Sequence, residues 1–294
     1  MRSVCRWRGD EDDILAPMRI QLFSDLHLER YPDFVPHIAA DTDVVVLAGD
    51  IGSYQSNSRL HDEDFGLGRF SPLREGAPPA RVLYIPGNHE FDSFDYHEAY
   101  ARLRASCARL GIEWLDGETI AIGRVRFVGT TLWADFDALA SREPDLAKSL
   151  KMREKAFRAA NYYLSKNTTL LDGAPVLAER QRAMSLDCQA WLRATLAQPF
   201  DGTTIAVTHY APSLLSADPR YGLTPGTAGF CNALDDMFPL ADVWMHGHLH
   251  CGNDYVVESD TGGGKRACRV VANPLGYLSK GEQEAFRPGL VIEV

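Results

Sequence analysis

The feature that most constrains this chain is a recurrence of short apolar runs, at residues 20–23, 44–47, 82–85, 125–128, 205–207 and 243–245. Runs this short and this rich in Val and Ile, ended by Gly, Asp, Asn or His, predict strands buried on both faces. Five of them close at once on a polar motif: Asp25-Leu26-His27, Gly49-Asp50, Gly87-Asn88-His89-Glu90, Thr208-His209 and Gly247-His248-Leu249-His250. In an α/β sheet, binding and catalytic groups gather beyond the C-terminal ends of strands. The pattern therefore predicts an α/β protein whose strands deliver these motifs to one edge. Strand counting alone suggests a simple doubly wound sheet.

Between the strands, the spacing predicts a helix over 95–110, with Ala99, Leu103, Cys107 and Leu110 on one side and Gly111 as its stop. A second helix is expected over 184–196, with Leu186, Ala190, Leu192 and Leu196 as its apolar side. Later runs at 255–258, 269–272 and 290–294 have no helices between them and suggest an antiparallel finish. Two stretches break the rhythm. Residues 53–79, rich in Gly, Ser, Pro and Asp, read as a long loop. Residues 135–182 read as helical patches with a basic lean, since 145–182 holds eight Lys/Arg against four acids. That stretch is either a solvated helix face or a lid that attracts an anionic substrate. Residues 1–17 form a polar leader ahead of Met18, where the first strand begins. The expected organisation is a leader at 1–17, outside the core and set by an upstream start codon, then one domain at 18–294 with insertions near 53–79 and 135–182.

Charge narrows the partners. With 30 Lys+Arg against 40 Asp+Glu and a net charge of -10, the chain is a poor nucleic-acid coat and a poor ligand for anionic lipid. No segment approaches the ~18 consecutive apolar residues of a membrane span, and the leader lacks a signal-peptide core. Six scattered cysteines without a CxxC pair predict reduced thiols in a cytoplasmic protein. An acidic protein that handled phosphate would need positive charge from a local source.

Metal supplies such a source. Asp25, Asp50, Asn88, His27, His209, His248 and His250 are seven oxygen and nitrogen donors, more than one tetrahedral zinc can use. Two five- or six-coordinate ions sharing a carboxylate account for all of them, and the donor types suit Mn, Fe, Zn, Co or Ni better than Ca or Mg. A Ser-His-Asp triad lacks its Gly-x-Ser-x-Gly elbow here, and neither a Walker A loop nor a Rossmann glycine fingerprint is present. His246 shares a side with His248 by strand alternation and is expected to be structural. His37, His61 and His97 carry no motif.

From Met18 to about Tyr277, this motif set resembles that of the calcineurin-like metallophosphoesterases. The resemblance implies a four-layer α/β/β/α sandwich of two mixed sheets flanked by helices, in place of the doubly wound sheet. It implies that Asp25, His27 and His250 hold one divalent ion, that Asn88, His209 and His248 hold the other, and that Asp50 bridges them. His89 would be catalytic, lying beside the phosphate and donating to the leaving oxygen, with Asp25 as the carboxylate that tunes it. The implied activity is hydrolysis of phosphate mono- or diesters of small molecules by a hydroxide bridging the two ions. Two departures stand out. Tyr210 follows His209 where many relatives carry a second histidine, and its phenol could touch substrate. Leu275 in Asn273-Pro274-Leu275-Gly276-Tyr277 replaces an arginine, which puts a phosphate contact there in doubt. The alternatives are a manganese-dependent nuclease, because Ser24–Leu28 resembles the opening motif of repair exonucleases in the same superfamily, and a non-catalytic scaffold. The acidic balance and the lack of a basic track count against the nuclease.

Overall fold

The computed structural model describes residues 16–294, so of the expected leader only Ala16 and Pro17 fall within the described residues. The first half of the chain forms β1 (Arg19–Phe23), β2 (Val44–Ala48), β3 (Arg81–Ile85), α1 (Tyr96–Leu110), β4 (Glu113–Trp114), β5 (Glu118–Ile122) and β6 (Val125–Thr130). There follow α2 (Leu146–Asn167), β7 (Leu170–Leu171), β8 (Ala174–Pro175), α3 (Ala178–Leu196), β9 (Thr203–Thr208), β10 (Val243–His246), β11 (Asn253–Asp260), β12 (Lys265–Ala272) and β13 (Val291–Glu293).

Two mixed sheets result. One has the order β13-β1-β2-β3-β4 and the other β11-β12-β10-β9-β6-β5, while β7 and β8 form a separate small hairpin. In each large sheet the inner strands run parallel, and three of the four edges are closed by antiparallel strands, β13 against β1, β5 against β6 and β11 against β12, while the fourth edge strand, β4, runs parallel to β3. The expected antiparallel finish is thus divided. β11 and β12 do pair antiparallel, but β12 lies parallel to β10, and β13 returns to the other sheet.

Strand β2 shows why four layers form. Val44, Val46 and Ala48 join Ile205, Val207 and Met245 in a core between the two sheets, whereas Val45 and Leu47 pack with Ala99, Leu103 and Cys107 of α1. Burial on both faces removes any polar alternation, which is why the strand reads Val-Val-Val-Leu-Ala. On the far side, Leu192 and Leu196 of α3 cover Val128, Ala206 and Trp244. The chain is therefore an α/β/β/α sandwich, and the simple doubly wound sheet is excluded.

Helix α1 forms where its caps lie. The Asp95 side chain accepts from His97 N at 3.0 Å, and Gly111 takes the left-handed conformation (φ 69°) that ends it. Helix α3 differs from the expectation in both start and face. It begins at Ala178, and its buried side carries Gln181 and Ser185, while Leu186 and Ala190 are exposed. Hydrogen bonds make this possible: Gln181 Nε2 donates to Tyr210 Oη at 2.8 Å, and Ser185 Oγ donates to the Trp133 carbonyl. A hydrophobic pattern cannot register polar groups that are buried because they are paired.

The two irregular stretches also resolve. Residues 53–79 are not a bare loop, because Phe65, Leu67 and Phe70 are fully buried and pack on the sheet beside Leu28 and Leu47. Residues 135–182 hold one 22-residue helix, α2, then the β7–β8 hairpin and the start of α3. Much of their positive charge is spent locally, with Arg153 and Arg182 on Asp137, Arg180 on Asp172 and Arg158 on Glu154. Among the described residues, no helix is long and apolar enough to cross a membrane.

Candidate metal centre

The C-terminal ends of β1, β2 and β3 in one sheet meet those of β9 and β10 in the other, and the polar motifs follow these strands directly. Two overlapping groups form there: Asp25, His27, Asp50 and His250, and Asp50, His209 and His248, with one donor atom per residue and all donors of a group within 4.8 Å of one another. Asn88 joins the second group, its Oδ1 lying 3.2 Å from His209 Nε2. The structure thus brings all seven nominated side chains together, with Asp50 common to both groups.

The backbone explains how neighbouring residues can point to one place. Asp25, His27, Asp50, His248 and His250 all have positive φ, between 47° and 70°. For residues other than glycine this conformation costs on the order of 1–2 kcal/mol each, and it persists only where surrounding bonds over-determine it. Here Asp25 N donates to Gly49 O (3.0 Å), His27 N to Asp50 O (3.1 Å), and Gly276 N to Asp25 O (3.0 Å). Glu90, fully buried, takes three backbone donors on its carboxylate: Asp50 N, Ile51 N and Gly87 N. It acts as a clamp on the turn that carries Asp50. Gly87 is required by space, since a Cβ there would meet Asp50 Oδ1 and lie 2.7 Å from His209 Cε1.

Hydrogen bonds at the far nitrogens then aim the rings. His27 Nδ1 lies 3.0 Å from Glu29 Oε1, His250 Nδ1 2.6 Å from Glu282 Oε2, and His209 Nδ1 2.8 Å from Ala48 O. Each acceptor claims the N–H and leaves Nε2 facing inward, the arrangement that holds metal-ligating imidazoles in other proteins. As a result, His27 Nε2 and His250 Nε2 face each other at 3.0 Å. Two lone pairs at that distance repel unless a proton or a metal ion is shared between the rings, and a metal ion bound to both would take the proton's place. Asp50 Oδ2 and His248 Nε2 are likewise buried without a hydrogen-bond partner. Inward lone pairs, a shared carboxylate and orphaned buried donors are what divalent ions would satisfy, so these residues fit a metal centre.

Titration points the same way. Burial works against the charged form of each imidazole, but the Asp50 carboxylate outweighs it at His209, and Asp25 and Glu282 outweigh it at His250, raising both to about 9. Burial also opposes charge on Asp50, yet His209 and His89 hold its carboxyl well below the usual range. The sign follows for the metal-free protein. Imidazoles raised in the fold contribute stability that is full below their unfolded value of about 6.5 and is lost as pH climbs through about 9. Glu90, pushed up to about 8 by burial and by Asp50, acts in the same direction. Metal must displace those protons, so its affinity rises with pH. The melting temperature of chelator-stripped protein should fall between about pH 7 and about 9.5, while the gain on adding Mn should grow across that range. A gain that shrank as pH rose would contradict this account.

His89 sits beside the centre. Its backbone N donates to Asp50 Oδ1 at 2.9 Å, and its Nδ1 lies 2.6 Å from Asp92 Oδ2. The carboxylate on its ring is therefore Asp92, not the expected Asp25, whose oxygens instead accept from His248 N (2.9 and 3.0 Å). The physical reason is local: His89–Phe91 is a single 3-10 turn, which brings residue 92 back over residue 89. Burial opposes the charged ring, but Asp92 and Asp50 overcome it and raise His89 well above its ordinary value.

Other expectations shift as well. Tyr210 is buried with its hydroxyl bonded to Gln181 and its ring 3.9 Å from that of His248, so it forms a wall and not a substrate contact. Leu275 is buried in the core beside β1, so no phosphate contact arises there. His246 is buried and structural, its Nε2 2.9 Å from Ser216 Oγ. His37, His61 and His97 are exposed. Sequence reasoning missed Glu29, Asp92, Glu282 and Tyr277, the last of which stacks on His27 at 4.4 Å. The first two carried a signal, because Asp25-x-His27-x-Glu29 and His89-x-x-Asp92 are short spacings. Glu282 lies 32 residues beyond His250 and had none.

Comparison with known proteins agrees with this fold. A family profile described as calcineurin-like phosphoesterase matches residues 18–252. Among solved structures, the fold is similar to that of a phosphopantetheinyl hydrolase from Mycobacterium tuberculosis, with a TM-score of 0.64 and 19% identity over 95% of this chain and 96% of that one. No curated protein sequence gave a significant match.

Proposed function

The chain belongs to the calcineurin-like phosphoesterase family, and from that premise we propose that it hydrolyses phosphate mono- or diesters of small molecules at a two-metal centre. Asp25, His27 and His250 would hold one ion, Asn88, His209 and His248 the other, and Asp50 would bridge them. The observation that carries the reading is the pair of ring nitrogens of His27 and His250, 3.0 Å apart, each with its other nitrogen engaged by a buried carboxylate. Two divalent ions at such a centre supply a nucleophile at neutral pH and neutralise the charge that develops on the phosphoryl oxygens.

The remaining work falls to the chain. Glu29, Glu282 and the Ala48 carbonyl fix the tautomers of three imidazoles, and Glu90 and Gly87 hold the Asp50 turn. His89 keeps Nδ1 on Asp92, so Nε2 is the atom that gives a proton to the leaving oxygen. A small substrate fits better than nucleic acid, because the chain carries a net charge of -10 and the four arginines of 145–182 are engaged in ion pairs.

The test is a hydrolysis screen of nitrophenyl phosphate and bis(nitrophenyl) phosphate. Chelator-stripped protein should be inactive, and activity should return on adding Mn, Co, Ni, Zn or Fe(II). Inactivity with every metal and both esters would overturn the reading.

A further inference from the structure

Phe230 is a large apolar side chain left 43% exposed, yet its ring lies 5.2 Å from that of His248 and is tilted 30° to it. A bare phenyl face costs free energy in water unless something covers it. Beside a buried polar cluster, such a face has the composition of a ligand pocket, apolar wall next to convergent polar groups.

Its placement is built. Pro225–Gly229 is a 3-10 turn closed by a reciprocal cap between Thr224 and Thr227. Phe230 N donates to Thr227 O at 3.0 Å, and Asn232 N to Ala211 O at 2.9 Å, which ties the segment to the chain just past His209. Over the other metal group, the ring of Tyr277 stacks on His27 at 25°. Tyr210, also against His248, is buried, so of the three aromatic rings that flank the candidate ligands only Phe230 is left largely exposed.

Resting on the phosphoesterase reading above, we propose that Phe230 contacts the alcohol portion of the substrate and makes the site prefer phosphate esters of aromatic alcohols to those of small polar ones. Aromatic faces take planar partners in offset or tilted stacks, and the gain is specific to substrates that carry a ring.

The experiment measures binding of phenylphosphonate and methylphosphonate to Mn-loaded protein by calorimetry. Wild type should bind the phenyl compound more tightly, and Phe230→Ala should reduce that preference about 2- to 10-fold. Phe230→Tyr, which keeps the ring, should retain it. Phe230→Leu, which keeps bulk over His248 without a ring face, should lose it, and this separates recognition from any change in metal content. An unchanged preference in both Phe230→Ala and Phe230→Leu overturns the inference alone. Metal-loaded wild type that bound neither phosphonate and hydrolysed no ester would overturn the phosphoesterase reading, and the role of Phe230 with it.

Discussion

Replacing His89 with alanine is expected to lower turnover by about 10²–10⁴-fold, the usual contribution of a positioned general acid, while the protein retains its metal. The separation of the two effects follows from the geometry. His89 reaches Asp50 through its backbone N, which alanine keeps, and its ring is engaged by Asp92. The inward-facing nitrogens of His27 and His250, and the orphaned His248 Nε2 and Asp50 Oδ2, are untouched by the change. Asp92 loses its partner, but burial already pushes its carboxyl up, so it can take a proton instead of remaining a bare charge. Metal content by elemental analysis, measured beside kcat, checks the prediction. If metal were lost in step with activity, His89 would be a ligand and its assigned role wrong.

Asp50→Asn should have a larger effect of a different kind. Asp50 is the one residue common to both donor groups. Its Oδ1 accepts from His89 N, and its Oδ2 lies 3.3 Å from His209 Nε2 without a hydrogen-bond partner of its own. Asparagine nearly preserves the shape but removes the charge and turns one oxygen into an N–H₂ that cannot ligate. Metal content should fall, and turnover should drop about 10³-fold or more, because the charge stabilisation lost is worth several kcal/mol. Circular dichroism should remain that of wild type, since the Glu90 bonds to Asp50 N and Ile51 N are made by the backbone. An Asp50→Asn variant with full metal and wild-type turnover would remove the bridge from the mechanism.

The strands were legible for a simple reason. β1, β2, β3, β6, β9 and β10 are buried on both faces, so their composition alone sets them apart. β5 was not legible, because its residues are mostly exposed or half-buried at a sheet edge and offer no apolar run. Helix α3 was half legible. Its C-terminal half packs Leu192 and Leu196, but its first turns bury Gln181 and Ser185, whose polarity is offset by hydrogen bonds that only the fold reveals. The four-layer arrangement came from likeness to a family and not from strand order, since nothing in the runs at 125–128 or 205–207 says that they belong to a second sheet.

For the site, the sequence by itself determined which donors exist and that each stands just past a strand, because short polar motifs after apolar runs are a local property. Which nitrogen of each ring faces inward was decided by tertiary structure. So were the 3.0 Å approach of His27 to His250 and the arrival of Glu282 behind His250. These depend on two sheets meeting at their strand ends and on five residues held at positive φ by bonds from other segments. Contacts between parts of the chain more than two hundred residues apart leave no periodicity to read, and only packing sets their distance.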